Sequence, residues 1–328
     1  MNRINKYQDG IMRFIKTKQI IEKMTPKTKT VLYDLLQTSE HIPSILCLTI
    51  LNKQCQKNNI SVHGYYLAAG VELMMLLAMV ACNRDYYETL YNNSVIDNMY
   101  IEIISVFYKC ISYNIDTLSI SNNEQFNTSK LTQYCIEYAS KYIPYITEKC
   151  LYVSNECMKK TDLLCMHLNE HTYGLYKKKN KLTRDTLLTN TTNRYGAVCK
   201  IAITFGWIFG QPTNILNNLK NVNTIIQLEK HANNIGKFLK LYDDFKNIHR
   251  DITYGNYSLN YIINYGIKEA YNELINSKVL YVEGLMKHDI DTKTGKEIID
   301  NVIGTVDNVV KDISVDMNTQ YDDISKNT

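Results

Sequence analysis

Residues 236–251 read Gly-Lys-Phe-Leu-Lys-Leu-Tyr-Asp-Asp-Phe-Lys-Asn-Ile-His-Arg-Asp, and they close a stretch whose apolar spacing decides the fold. Leading into it, Ile225, Leu228, Ala232, Ile235, Leu239 and Tyr242 recur at intervals of three, four, three, four and three. That is the period of a helix packed along one side. Asp243, Asn247 and Asp251 follow at i, i+4 and i+8, which stacks their oxygens along one line of the helix. Stacked like charges repel, and the helix gains nothing from them unless a cation is shared. Oxygen ligands on adjacent turns suit Mg²⁺, which keeps waters and completes its shell with substrate phosphates. The competing reading is a solvated helix end with ordinary acids.

The rest of the chain carries the same helical signature. Four prolines and thirteen glycines in 328 residues leave little turn chemistry for a β fold. Helices are expected at about 5–24, 28–37, 43–57, 61–93, 95–115, 128–140, 143–171, 185–210, 223–251, 257–287 and 293–315, with Asn-rich loops near 112–130 and 213–223. The expectation is a single all-α domain over residues 1–316 and a polar C-terminal tail over 317–328. Val62–Cys82 is long enough to span a bilayer, but Glu72 at its centre would be costly in lipid. A central buried helix and no transmembrane span are expected.

Composition bounds the setting. Lys+Arg 37 against Asp+Glu 33 is too mild a balance to argue for nucleic acid. Nine cysteines without a CxxC pair suggest buried free thiols in a reducing compartment. Together with the lack of a signal-peptide pattern, this points to the cytoplasm. The excess of Tyr (26) over Phe (7), with abundant Asn, Ile and Lys, is the bias of an AT-rich genome, such as that of a large DNA virus or a protozoan parasite. For a viral chain the compartment is the host cytoplasm.

The Gly236–Asp251 stretch resembles the second aspartate-rich motif of the trans-isoprenyl diphosphate synthases (the polyprenyl synthetase family): Gly, Phe, Gln and then Asp-Asp-x-x-Asp. The match is Gly236, Leu239, Lys240, Asp243 and Asp244, with Asn247 at the third Asp position. The spacing of Asp243, Asn247 and Asp251 is also similar to the metal triad of terpene synthases. Ala68, Ala69, Gly70, Val71, Glu72 and Leu73 resemble the Ala-Ala-x-x-Glu-Leu that opens the family's central helix. Arg194-Tyr195-Gly196-Ala197 stands where the family has Lys-Thr-Gly. The resemblance runs from roughly residue 38 to 265. It implies an isoprenoid-synthase type helical bundle around a central cavity, paired as a homodimer or serving as a subunit of a heteromeric synthase. It further implies Mg²⁺ as cofactor and a prenyl diphosphate as ligand. Asp243, Asp244, Asn247 and Asp251 would bind metal, with Asp85 and Glu88 as a displaced second set, while Arg194, Lys240 and Arg250 would steady the diphosphate.

The departures from the family are as specific as the matches. The first Asp-Asp-x-x-Asp falls on Cys82-Asn83-Arg84-Asp85-Tyr86, where both leading aspartates are missing and Arg84 adds a cation. The Gly-Lys-x-x-Arg-Pro that grips isopentenyl diphosphate aligns with Ser39-Glu40-His41-Ile42-Pro43, keeping only the proline. The Gln of the second motif is Lys240, and the family's arginine pair has no counterpart in 89–96. Asp85 and Glu88 read equally as two exposed acids near a helix end. Two functions stay open. One is a degenerate, catalytically impaired member acting as a binding or regulatory subunit. The other is an active Mg²⁺-dependent prenyltransferase or terpene-synthase-like lyase.

Three further patterns call for notice. His167-Leu-Asn-Glu170-His171 has the HxxEH spacing of an inverted zincin, but it lacks a recognisable third ligand. The basic run from Tyr176 to Arg184 reads as a solvated loop or an anion-attracting one. The Tyr and Met residues of 65–79 read as plain core or as the lining of a prenyl pocket.

Overall fold

The computed structural model describes residues 2–121, 128–147, 183–211, 219–254 and 260–326. The described residues are all-α, with no strand among them. The first eight helices are α1 (Arg3–Thr17), α2 (Pro26–Thr38), α3 (Ile42–Asn58), α4 (Tyr65–Cys82), α5 (Arg84–Tyr91), α6 (Asn93–Ser121), α7 (Thr128–Ser140) and α8 (Ile143–Thr147). They are followed by α9 (Arg184–Ile208), α10 (Leu219–Lys246), α11 (Ile248–Tyr254), α12 (Tyr261–Tyr265), α13 (Ile267–Lys287) and α14 (Lys293–Lys326).

α4 lies at the centre because its sequence offers no polar face. Among the described residues it is the helix apolar and long enough to cross a membrane, and 83% of it is buried inside the protein. α3, α6, α8 and α9 surround it. Its one charged residue, Glu72, is fully buried and serves as an anchor. Ser44 Oγ donates to it at 2.7 Å, Ser39 Oγ donates to its other oxygen, and His41 Nδ1 lies 2.9 Å away. The carboxylate thereby ties the α2–α3 turn, where His41 takes a left-handed φ of 56°, to the central helix. Burial opposes the charge on both partners, and their attraction more than offsets it: Glu72 is held below its ordinary value and His41 above its own.

α9 and α10 meet backbone to backbone. A Cβ added to Gly236 would lie 2.3 Å from the Gly196 nitrogen and 2.4 Å from its Cα, so no larger residue fits without displacing a helix. This crossing fixes which residues of the two helices face each other. On its other side α10 packs along α13 and touches α12 and α14.

Several boundaries differ from the sequence expectations, each for a local reason. α1 stops at Thr17, just before Gln19 takes a φ of 52°. The expected helix over 61–93 divides at Asn83, whose side chain turns back to the Met79 carbonyl at 3.1 Å. The one expected over 257–287 divides at Gly266, with φ 85°. Residues 112–121, read as loop, continue α6, and the last helix runs to Lys326 through the residues read as a polar tail. The HxxEH pattern at 167–171 and the basic run up to residue 182 lie outside the described residues.

Candidate functional site around the aspartate-rich helix

Adjacent residues on a helix point about 100° apart, and this separates Asp243 from Asp244. Asp244 turns into the protein and is 1% exposed. One of its oxygens accepts Lys240 Nζ, one turn earlier, and the other accepts the Tyr261 backbone N–H at 3.1 Å. Burial raises its carboxyl to about 7, more than Lys240 and Tyr261 bring it down. Lys240 is also buried; burial pulls it down, and Asp244 and Asp243 more than restore it.

Asp251 is buried as well. Asn260 Nδ2 donates to its Oδ2 at 2.9 Å, and Arg250 Nη2 donates to its Oδ1 at 3.1 Å. Burial raises Asp251, while Arg250 and Asn260 work against the shift. Asn260 also donates to the Asp244 carbonyl at 3.1 Å and accepts from the Ile262 and Ile263 N–H groups at 3.0 and 3.3 Å. A single amide thus caps α12 and pins it to the aspartate-rich helix.

Asp243 faces a different environment. Tyr195 on α9 donates its hydroxyl to Oδ2 at 3.0 Å, and Asn247 Nδ2 donates to Oδ1 at 2.6 Å. The half-buried carboxylate borders a cavity of about 70 Å³, shared with His41, Met75, Met79, Leu239 and Lys246. Glu40 and Tyr242 separate that cavity from a wider cleft of about 660 Å³ between α1 and α14. Tyr242 and Lys246 both donate to Glu40, at 2.7 and 2.6 Å. Ligand pockets for drug-sized molecules run to roughly 300–1,000 Å³, so the inner cavity as folded has room for waters but not for a prenyl chain.

The end of α4 presents the sulfur of Cys82 and the amide of Asn83 to cations of α9 and α11. Arg194 Nη1 lies 3.2 Å from Cys82 Sγ, and Arg250 Nη2 donates to Asn83 Oδ1 at 3.4 Å. Arg250 also lies over the Tyr86 ring, 5.7 Å from its centre. Glu88 accepts from Arg84, which reaches on to Asp97 at 2.7 Å. Asp85 sits in the first turn of α5. Among the described residues, no group of three or more His, Cys, Asp or Glu side chains stands close enough to hold a metal ion.

The structure therefore brings Asp243, Asn247, Tyr195 and the Lys240–Asp244 pair together beside Arg194 and Arg250. Sequence reasoning missed Tyr195, Asn260 and Cys82 as partners. Asn260 carried a signal, since an Asn just before Tyr-Ile-Ile is a good helix cap. Cys82 and Tyr195 carried none, because the Arg194–Cys82 contact depends on how α9 packs on α4, and the Tyr195–Asp243 contact on the α9–α10 crossing.

Neither a protein-family model nor a curated protein sequence matches the chain. Among the solved structures similar to it is the crystal structure of geranylgeranyl pyrophosphate synthetase from Pyrococcus horikoshii Ot3. That match has a TM-score of 0.45 and 14% sequence identity, and covers 95% of this chain and 93% of the other.

Proposed function

We propose that this chain is an isoprenoid-synthase-like protein, one domain over residues 1–316, that has given up Mg²⁺-dependent ionisation of a prenyl diphosphate and acts as a binding or regulatory subunit. One observation supports the reading: the carboxylates and the facing end of α4 are already engaged by side-chain cations. Lys240 is on Asp244, Arg250 bridges Asp251 and Asn83, and Arg194 is on Cys82. Mg²⁺ asks for near-octahedral oxygen ligands and dehydrates reluctantly. Asp244 is already paired with Lys240 and the Tyr261 N–H, while Asp251 is taken by Asn260 and Arg250. This donor set does not fit a shared metal cluster. Asp243, Asn247 and Glu88 would have to leave their present partners to supply it.

The second reading, an active prenyltransferase or lyase, draws support from Asp243 and the two adjoining spaces. If Tyr242 swung away from Glu40, the inner cavity and the outer cleft would merge beside that carboxylate.

The test is diphosphate release with Mg²⁺ from geranyl, farnesyl and geranylgeranyl diphosphates, each with and without isopentenyl diphosphate. The expected result is no release above that of the Asp243→Ala/Asp244→Ala protein. Release that requires both Mg²⁺ and Asp243 would establish the enzyme reading instead. A requirement for isopentenyl diphosphate would then separate transferase from lyase.

A further inference from the structure

On the far face of α10, away from the aspartates, His231 and His288 stand together with ring centres 5.2 Å apart and planes inclined at 60°. His231 projects from α10 and His288 ends α13, so the pair joins two helices that pack along each other. Gly284, one turn before His288, makes room for the first ring. A Cβ there would meet His231 Nδ1 at 2.5 Å and Cγ at 2.6 Å. The Nδ1 edge of His231 therefore lies on the strip of α13 that also carries His288.

Two further observations point to a ligand. His231 Nδ1 and His288 Nε2 are both buried atoms without a hydrogen-bond partner among the described residues. A buried imidazole nitrogen left this way forfeits a hydrogen bond that water would have supplied. Two such nitrogens in neighbouring rings form an unsatisfied donor set. The spacing also fits, since two imidazoles on one tetrahedral ion, with metal–nitrogen bonds of about 2.0–2.1 Å, have ring centres roughly 5 Å apart.

We infer that His231 and His288 bind a late first-row transition ion, such as Zn²⁺ or Ni²⁺, through two imidazole nitrogens, with water completing the shell. Imidazole suits these ions, whereas Mg²⁺ prefers oxygen. Lys230 and Lys287 lie near the two rings. Glu283 contributes negative charge near His231. Lys230 and Lys287 are exposed and screened by solvent, which limits their repulsion of a dication. The site is independent of the aspartate-rich face and stands whether or not the chain is an enzyme.

The test is calorimetric titration of the tag-free full-length chain with Zn²⁺ and Ni²⁺ after chelator treatment, with Co²⁺ absorption to read the ligand field. The expected result is saturable binding that becomes more than about tenfold weaker, or about 1.4 kcal/mol, in His231→Ala and in His288→Gln. It should stay unchanged in His167→Ala/His171→Ala, which removes the HxxEH pattern. Gly284→Ala keeps both histidines and should also weaken binding by displacing the His231 ring. Circular dichroism confirms that each variant is folded. Absence of binding to the wild-type chain, or binding that survives His288→Gln and Gly284→Ala, would overturn the proposal.

Discussion

Lys240 and Asp244, one turn apart on α10, form an ion pair that solvent barely reaches, with side chains 7% and 1% exposed. The attraction of such a pair is largely cancelled by the cost of taking two charges out of water, so its presence is weak evidence for stability. Removing one partner is another matter. Lys240→Met leaves a buried carboxylate without its cation and is expected to cost about 3–5 kcal/mol, while Lys240→Met/Asp244→Leu should recover most of the loss. Urea unfolding of the single and double variants measures both. A single-variant cost below about 1 kcal/mol would mean that solvent screens the pair.

The Glu72–His41 pair makes stability depend on pH from both sides. His41 is raised above its ordinary 6.5, so its contribution is complete below that value and is lost as pH rises through the folded pKa. Glu72 is depressed below 4.5, so its contribution is complete above that value and is lost as pH falls through the folded pKa. The stability gap between wild type and Glu72→Gln should be widest between pH 4.5 and 6.5. Urea midpoints measured from pH 4 to 9 give the curve, and a gap independent of pH would refute the coupling.

Six of the nine cysteines, at 47, 55, 82, 110, 135 and 199, are buried. Burial pushes Cys47, Cys110 and Cys199 up to about 12 and Cys135 higher still. At pH 8 a thiol-reactive chromogen should therefore leave at least six thiols unmodified in the folded protein and reach all nine in guanidinium. Rapid reaction of more than three under native conditions would contradict this packing.

Two glycines should respond in opposite directions. Gly236→Ala drives a methyl group into the Gly196 backbone and should cost roughly 1–3 kcal/mol or more. Gly304, on the exposed face of α14, has nothing within 4 Å of an added Cβ. Gly304→Ala should stabilise the helix by about 0.5–1 kcal/mol. Thermal and denaturant unfolding of the two variants side by side provides the comparison.

The all-α architecture was legible because buried helices write their period into the sequence. The recurrence from Ile225 to Tyr242 and the unbroken apolar content of α4 required no tertiary knowledge. The site was legible only in part. Asp243 and Asn247 stack as their spacing requires, and they hydrogen-bond to each other. Sequence spacing could not say that Asp244 would turn inward, because that depends on where α12 docks. Lys240 stands in place of the motif's Gln and was read as a diphosphate contact, yet its i, i+4 offset from Asp244 was equally the signature of an ion pair. The contacts of Arg194 with Cys82, and of Tyr195 with Asp243, span 112 and 48 residues of sequence and follow from helix crossings rather than from local pattern.

The Gly196–Gly236 crossing is a register pin that carries no chemical information of its own. Main chain rests on main chain, so the pin is indifferent to the charge, polarity or metal affinity of the side chains around it. Substitutions at 194, 240 or 244 can rewrite the electrostatics around the two helices while the distance between them stays set by the glycines. A scaffold held in this way can carry very different chemistry on the faces around it. By the same logic, an engineer could exchange Arg194, Lys240 or Asp244 for other side chains without redesigning the crossing that presents them.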